Sequence, residues 1–161
     1  MGAAEGGPAR SRSDGGSCCR DRADHGRHAI VRIVLHRTHV HERCHGPGEG
    51  RARYPERRIW AVWQPHTYSR TEALFDEFTQ AFKDANQVIV TEVYAAREQS
   101  DGFSAQQLVK KMQHSFVHFS PDLEEAAGYL LNHLQSGDVV LVLSAGDADQ
   151  ISTRVLAALK D

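Results

Sequence analysis

From Arg58 to Lys160 short apolar runs alternate with stretches whose apolar residues recur at helical spacing, a rhythm that few folds accept. Ile59 to Gln64 reads as a strand. Leu74, Phe75, Phe78, Ala81 and Phe82 then line one helical stripe, behind a Ser69-x-x-Glu72 capping box. Val88 to Val93 is a second strand, and Tyr94 to Phe103 a loop long enough to be a functional candidate. Ser104 and Gln107 form another capping box ahead of Leu108, Val109 and Met112, and Phe116 to Phe119 gives a third strand. Ser120-Pro121 has the cap-then-proline form of a helix start, with Leu123, Ala126, Ala127, Leu130 and Leu134 on the inner face and Gly137 as the stop. Val139 to Leu143 is a continuous apolar strand of the kind buried on both faces. Gly146-Asp147 turns into a last helix faced by Ile151, Val155, Leu156 and Leu159. The alternation predicts an α/β fold: a Rossmann-like, mostly parallel sheet with right-handed crossovers and flanking helices. Four strands are few for such a sheet, so it reads as truncated at its N-terminal edge.

Residues 1–53 are different text. They hold ten Arg, no Lys and six Asp/Glu (net +4), six of the ten His, all three Cys, and no Phe, Tyr or Trp. Residues 54–161 hold nine Lys/Arg against fifteen Asp/Glu (net −6) and every aromatic. A chain poor in apolar side chains cannot offset its own conformational entropy, so 1–53 is expected to be a low-order head and 54–161 the folded domain. Ile30 to Leu35 could supply one short strand. Arg without Lys, rich in His, Gly and Cys, is also what GC-rich DNA yields out of frame. Codons for His36 to Gly50 can be chosen so that a neighbouring frame reads as an amphipathic helix leading into Tyr54, and the gene's nucleotide sequence decides that point. His36, His39, His41, Cys44 and His45 crowd together, but Cys18 and Cys19 are adjacent and no second pair stands at zinc-finger spacing, so no metal is expected. No aromatic interleaves the basic head, which argues against nucleic acid. No run approaches membrane-spanning length and the domain has no Cys, so the expectation is a cytoplasmic protein without a membrane partner.

In parallel α/β sheets ligands bind beyond the carboxyl ends of the strands. Here those ends gather Pro65 to Arg70, Tyr94 to Glu98, Ser120, and Ser144 to Asp147. Arg70 falls in the first turn of a helix, where the dipole disfavours a cation and a two-pronged carboxylate contact would explain it. A solvated Arg, or one paired with Glu72, is the plain alternative. His66 follows Pro65, which fixes the backbone behind the ring. Tyr68 could equally be a packing residue, and Arg97 could simply pair with Glu98. Ser144, Gly146 and Asp147 offer backbone N–H groups for an anion, unless Gly146 serves only geometry and Asp147 only caps. None of Lys83, Lys110, Lys111 and Lys160 follows a Gly, so the chain has no G-x-x-x-x-G-K-[ST] phosphate cradle.

Four segments carry a resemblance: I-W-A-V-W-Q-P-H-T-Y-S-R-T (Ile59 to Thr71), V-Y-A-A-R-E (Val93 to Glu98), P-D-L (Pro121 to Leu123) and G-D-V-V-L-V-L-S-A-G-D (Gly137 to Asp147). Over about residues 54–160 the chain resembles the C-terminal domain of the Mur ligase family, and the first segment is distinctive for its alanine-adding branch. The resemblance implies part of an ATP- and magnesium-dependent ligase that joins L-alanine to UDP-N-acetylmuramate in peptidoglycan synthesis. ATP and the UDP-sugar would be held by other domains, and this chain alone would bind no cofactor and turn nothing over. By position, His66 and Arg70 would face the alanine carboxylate. Tyr68, Arg97, Ser144, Gly146 and Asp147 would lie nearer an interdomain or nucleotide-proximal cleft. Thr67 stands where some relatives carry Arg, and Ser144 where Gly is usual. The rival reading is a freestanding α/β module that binds an anion or a partner without catalysis.

Overall fold

A computed structural model describes residues 19–23, 32–37 and 47–160. Its elements, in chain order, are β1 (Cys19–Ala23), β2 (Arg32–Arg37), α1 (Pro47–Arg53), β3 (Ile59–Trp63), α2 (Tyr68–Ala73), α3 (Phe75–Gln80), β4 (Gln87–Thr91), α4 (Ala105–Val109), β5 (Val117–Ser120), α5 (Leu123–His133), β6 (Val139–Ser144) and α6 (Asp149–Ala158). They build one sheet in the order β1-β2-β6-β3-β4-β5, parallel except for β1. The Rossmann-like, mostly parallel sheet predicted from the alternation is therefore present.

Every residue of β3 and β6 is buried, as continuous apolar runs at the centre of a doubly covered sheet should be. They pair in parallel, Trp60 opposite Val140 and Val62 opposite Val142. Alternate side chains enter two cores. Trp60, Val62, Ile89, Val140 and Val142 pack with Ala126, Ala127 and Leu130 of α5 and Ile151 and Val155 of α6. Ala61, Trp63, Val88, Val90 and Leu143 pack on the other face with Tyr68, Phe75, Phe78, Phe82, Ala105 and Leu108. α2 to α4 thus cover one face and α5 and α6 the other. The α5 crossover carries the chain from edge strand β5 back past β4 and β3. Consequently the segments leaving β3 and β6, which are neighbours, depart toward opposite faces. That divergence is the topological switch point of the sheet.

Three local expectations are corrected. The single helix expected from Ser69 is two short ones broken at Leu74, whose φ of −113° and ψ of 27° leave the helical region. It starts two residues early, with Thr67 and not Ser69 as the flanking residue, and Ser69 bonds Glu98 rather than sharing a capping box with Glu72. The helix placed at Ser120-Pro121 is capped instead by Asp122, whose carboxylate accepts the Glu125 N–H at 2.8 Å. Ser104 does cap α4 through the Gln106 N–H, but Gln107 turns to the Gly102 carbonyl and leaves the second box half-formed.

The edge expected to be short carries β1 and β2, and β2 overlaps the Ile30–Leu35 run. α1 also falls before residue 54 and packs on β3 and β6. A Cβ added at Gly50 would stand 2.6 Å from a Leu141 methyl, so the helix approaches the sheet closely. β1, β2 and α1 all precede residue 54, and a boundary after residue 53 falls at the end of α1. Apart from His36 in β2, the crowded histidines and Cys44 lie outside the described residues.

Candidate functional site

Because β2 to β6 run parallel, their carboxyl ends open on one rim, where the segments following β3, β4 and β6 meet. At the switch point Gln64 continues the ladder, its N–H donating to the Leu143 carbonyl at 3.0 Å. Its buried side chain reaches across to the segment after β6. Gln64 Oε1 accepts from the Ser144 hydroxyl at 2.7 Å and from the Asp147 and Ala148 N–H groups, each at 3.2 Å. Its Nε2 donates to Asp147 Oδ1 at 2.8 Å, while Ser144 Oγ accepts the Gly146 N–H at 2.9 Å. The N–H groups expected to be available for an anion are thus already satisfied within the chain. Asp147 does not cap α6; its carboxylate orients the Gln64 amide. Gly146 serves close approach, since a Cβ there would meet Tyr94 Cγ at 2.6 Å and Gln64 Oε1 at 2.7 Å. Ser144, Gly146 and Asp147 are thus packed and bonded against Gln64 and Tyr94.

The segments after β3 and β4 are laced together. Tyr94 N–H donates to the Pro65 carbonyl at 2.9 Å and Thr67 N–H to the Tyr94 carbonyl at 3.0 Å, extending the parallel pairing of the two strands. The His66 ring stacks on Tyr94 with centroids 5.7 Å apart and planes 18° from parallel. Thr67 has φ 61° and ψ 143°, a conformation costly for a β-branched side chain. It is held by that N–H bond and by the Thr71 hydroxyl, which donates to the Thr67 carbonyl at 2.7 Å. Ala96, at φ 56°, turns the facing loop so that Glu98 points back to α2. Glu98 Oε2 accepts the Ser69 N–H at 2.9 Å and Oε1 the Ser69 hydroxyl at 2.6 Å. The Ser69 hydroxyl foremost, and its amide, hold the Glu98 carboxyl below its ordinary 4.5.

The sequence-predicted site residues thus divide. His66 and Arg70 lie four positions apart on the turn from β3 into α2, and both are half-buried. Among the described residues the Arg70 guanidinium has no hydrogen-bond or ion-pair partner, so the pairing with Glu72 does not occur. Arg97 is exposed and likewise unpartnered, because Glu98 is taken by Ser69. Tyr68 packs into the core on the α2–α4 face, which favours its structural reading. Sequence reasoning missed Gln64, whose role is visible only through its partners in the segment after β6. Among the described residues no group of three or more His, Cys, Asp or Glu could hold a metal ion, and no helix is long and apolar enough to cross a membrane.

A doubly covered, mostly parallel sheet whose switch point lies between β3 and β6 defines an α/β domain of the Rossmann-like class. Residues 49–146 match the family model described as Mur ligase, glutamate ligase domain, and the chain belongs to the Mur ligases, which are ATP-dependent ligases. It is similar to the UDP-N-acetylmuramate–L-alanine ligase of Alkaliphilus metalliredigens, 40% identical over 126 residues that cover 73% of this chain and 27% of that protein. To the corresponding ligase of Acaryochloris marina it is 46% identical over 103 residues, 62% of this chain and 21% of the relative. The chain therefore spans about a quarter of the length of these curated relatives. In fold it is similar to the crystal structure of UDP-N-acetylmuramate-alanine ligase from Thermotoga maritima, with a TM-score of 0.57 and 18% identity over 82% of this chain and 27% of that one. A murein peptide ligase from Psychrobacter arcticus gives a TM-score of 0.59 at 16% identity, over 80% and 28% of the two chains.

Proposed function

We propose that this domain is the amino-acid-holding part of a ligase that joins L-alanine to UDP-N-acetylmuramate at the expense of ATP. In that reaction the muramoyl carboxylate would take the terminal phosphoryl group of ATP, with magnesium, and ADP would leave. The L-alanine amine then attacks the acyl phosphate, the amide bond forms, and phosphate leaves. The part assigned to this chain is to grip the alanine carboxylate with Arg70 and His66, leaving the amine free to attack. Arg97 faces the cleft toward the domains that hold ATP and the UDP-sugar. This chain binds neither ATP nor magnesium, and alone it does not turn over.

The observation that carries the reading is the half-buried Arg70, without a partner among the described residues, four positions beyond the half-buried His66. The names of the similar ligases supply the substrate. Calorimetric titration of the chain with L-alanine tests it. Binding is expected, weakened by about tenfold or more in Arg70→Ala and in His66→Ala, as for loss of a charged hydrogen bond. No phosphate is expected to be released from ATP. Affinity for L-alanine that ignores both substitutions, or no affinity at all, overturns the assignment.

A further inference from the structure

The loop after β4 touches the proposed substrate grip only through the first turn of α2 and through Tyr94. Its geometry is nevertheless specified in detail. Among the described residues the two non-glycine positions with positive φ are Thr67 and Ala96, one in each of the two facing rim segments. Such strain persists only where surrounding bonds over-determine it, and it concentrates at working sites. Here those bonds join one segment to the other: Tyr94 to Pro65, Thr67 to Tyr94, the stacked His66–Tyr94 rings, and both oxygens of Glu98 on Ser69. Ser69 immediately precedes Arg70. A two-point hold on its amide and hydroxyl therefore fixes the start of α2 and the direction in which Arg70 leaves the helix. α2 has only six residues and breaks at Leu74, so its own hydrogen bonds cannot set that direction.

We propose that Glu98 is a positioning residue for the amino-acid substrate: by stapling the Tyr94–Glu98 loop to Ser69 it sets Arg70, and with it His66, in place before the substrate arrives. This rests on the assignment of Arg70 and His66 to the alanine carboxylate. Glu98 touches no substrate. It occupies the amide at the start of α2, so an incoming carboxylate is left to the side chains and does not settle on the helix terminus. The grip is thereby aimed at one place.

The test uses the 161-residue chain with Glu98→Ala, Glu98→Gln, Ser69→Ala and Arg70→Ala, reading L-alanine affinity by calorimetry and folding by thermal unfolding. Glu98→Ala is expected to stay folded and to bind about tenfold more weakly. Glu98→Gln keeps an oxygen for the Ser69 N–H and recovers part of the loss, which a merely structural lesion would not do. Ser69→Ala, which deletes only the hydroxyl bond, gives an intermediate loss and serves as the decisive variant if Glu98→Ala fails to fold. Wild-type affinity in Glu98→Ala or Ser69→Ala, beside a loss in Arg70→Ala, overturns the positioning role and leaves the proposed function standing. Absence of L-alanine binding by the unmodified chain overturns the proposed function, and the positioning role falls with it.

Discussion

The two ends of the sheet treat their arginines in opposite ways. At the amino ends of the strands the guanidinium groups of Arg51, Arg57 and Arg58 are all consumed. Arg58 donates to both oxygens of Asp138, at 3.0 and 2.6 Å, and to the His133 carbonyl at 2.8 Å. Asp138, itself 3% exposed, also accepts from the Trp60 indole N–H and the Gln135 amide, each at 2.9 Å. Arg51 of α1 donates to the Pro55 and Arg57 carbonyls and to Asn86 Oδ1, and Arg57 to the Gly137 carbonyl. At the carboxyl ends, Arg70 and Arg97 meet no such partner among the described residues. The difference teaches where this domain holds itself together and where it keeps donors available for something else.

Removing Asp138 should show the contrast most strongly. Asp138→Ala strands the Trp60 indole N–H and the Arg58 fork at a buried point, and is expected to destabilise by about 3 kcal/mol, read as a lowered denaturation midpoint. A midpoint within error of wild type would mean that the amino ends of the strands are not the anchor.

A smaller effect belongs to Glu98, whose carboxyl lies below its ordinary 4.5 in the folded chain. A depressed folded value means that its stabilising contribution is complete above the unfolded value and is lost as pH falls through the folded one. The Ser69 amide resonance should therefore titrate with a midpoint below 4.5, and in Glu98→Gln that titration should vanish.

Smallest is the effect of Arg70→Ala on stability, expected within about 0.5 kcal/mol because no described partner is lost, even as L-alanine affinity falls. A loss comparable to that at Asp138 would erase the distinction between the two ends.

The sheet was legible because β3, β4 and β6 are dense runs of β-branched and aromatic residues, whose meaning depends little on context. Helix starts were less so. Ser120 and Asp122 are both competent caps two residues apart, and only Asp122, at φ −142° and ψ 173°, stands where the chain enters the helix. Ser69 had a local partner in Glu72, yet the loop after β4 brings Glu98 closer, so a tertiary contact displaced a sequence pattern. Gln64 gave no local signal, since a polar residue ending an apolar run reads as a boundary, and its partners lie some eighty positions away. β1 was obscured by a composition rich in Arg and His, whereas the Ile30 to Leu35 run marked β2 as one short strand. The site was half legible: charge and position singled out Arg70 and His66, while the contacts that orient them are long-range.

The place of β6 bears on how the molecule is made. It is synthesised after β3, β4 and β5, yet it is wedged between β2 and β3. Until residues 139–144 take their place, Ile59 to Trp63 can pair on one flank only, and the sheet has an open apolar seam between β2 and β3. Docking of that late segment closes the seam over a long sequence separation, which makes it the natural slow step of folding.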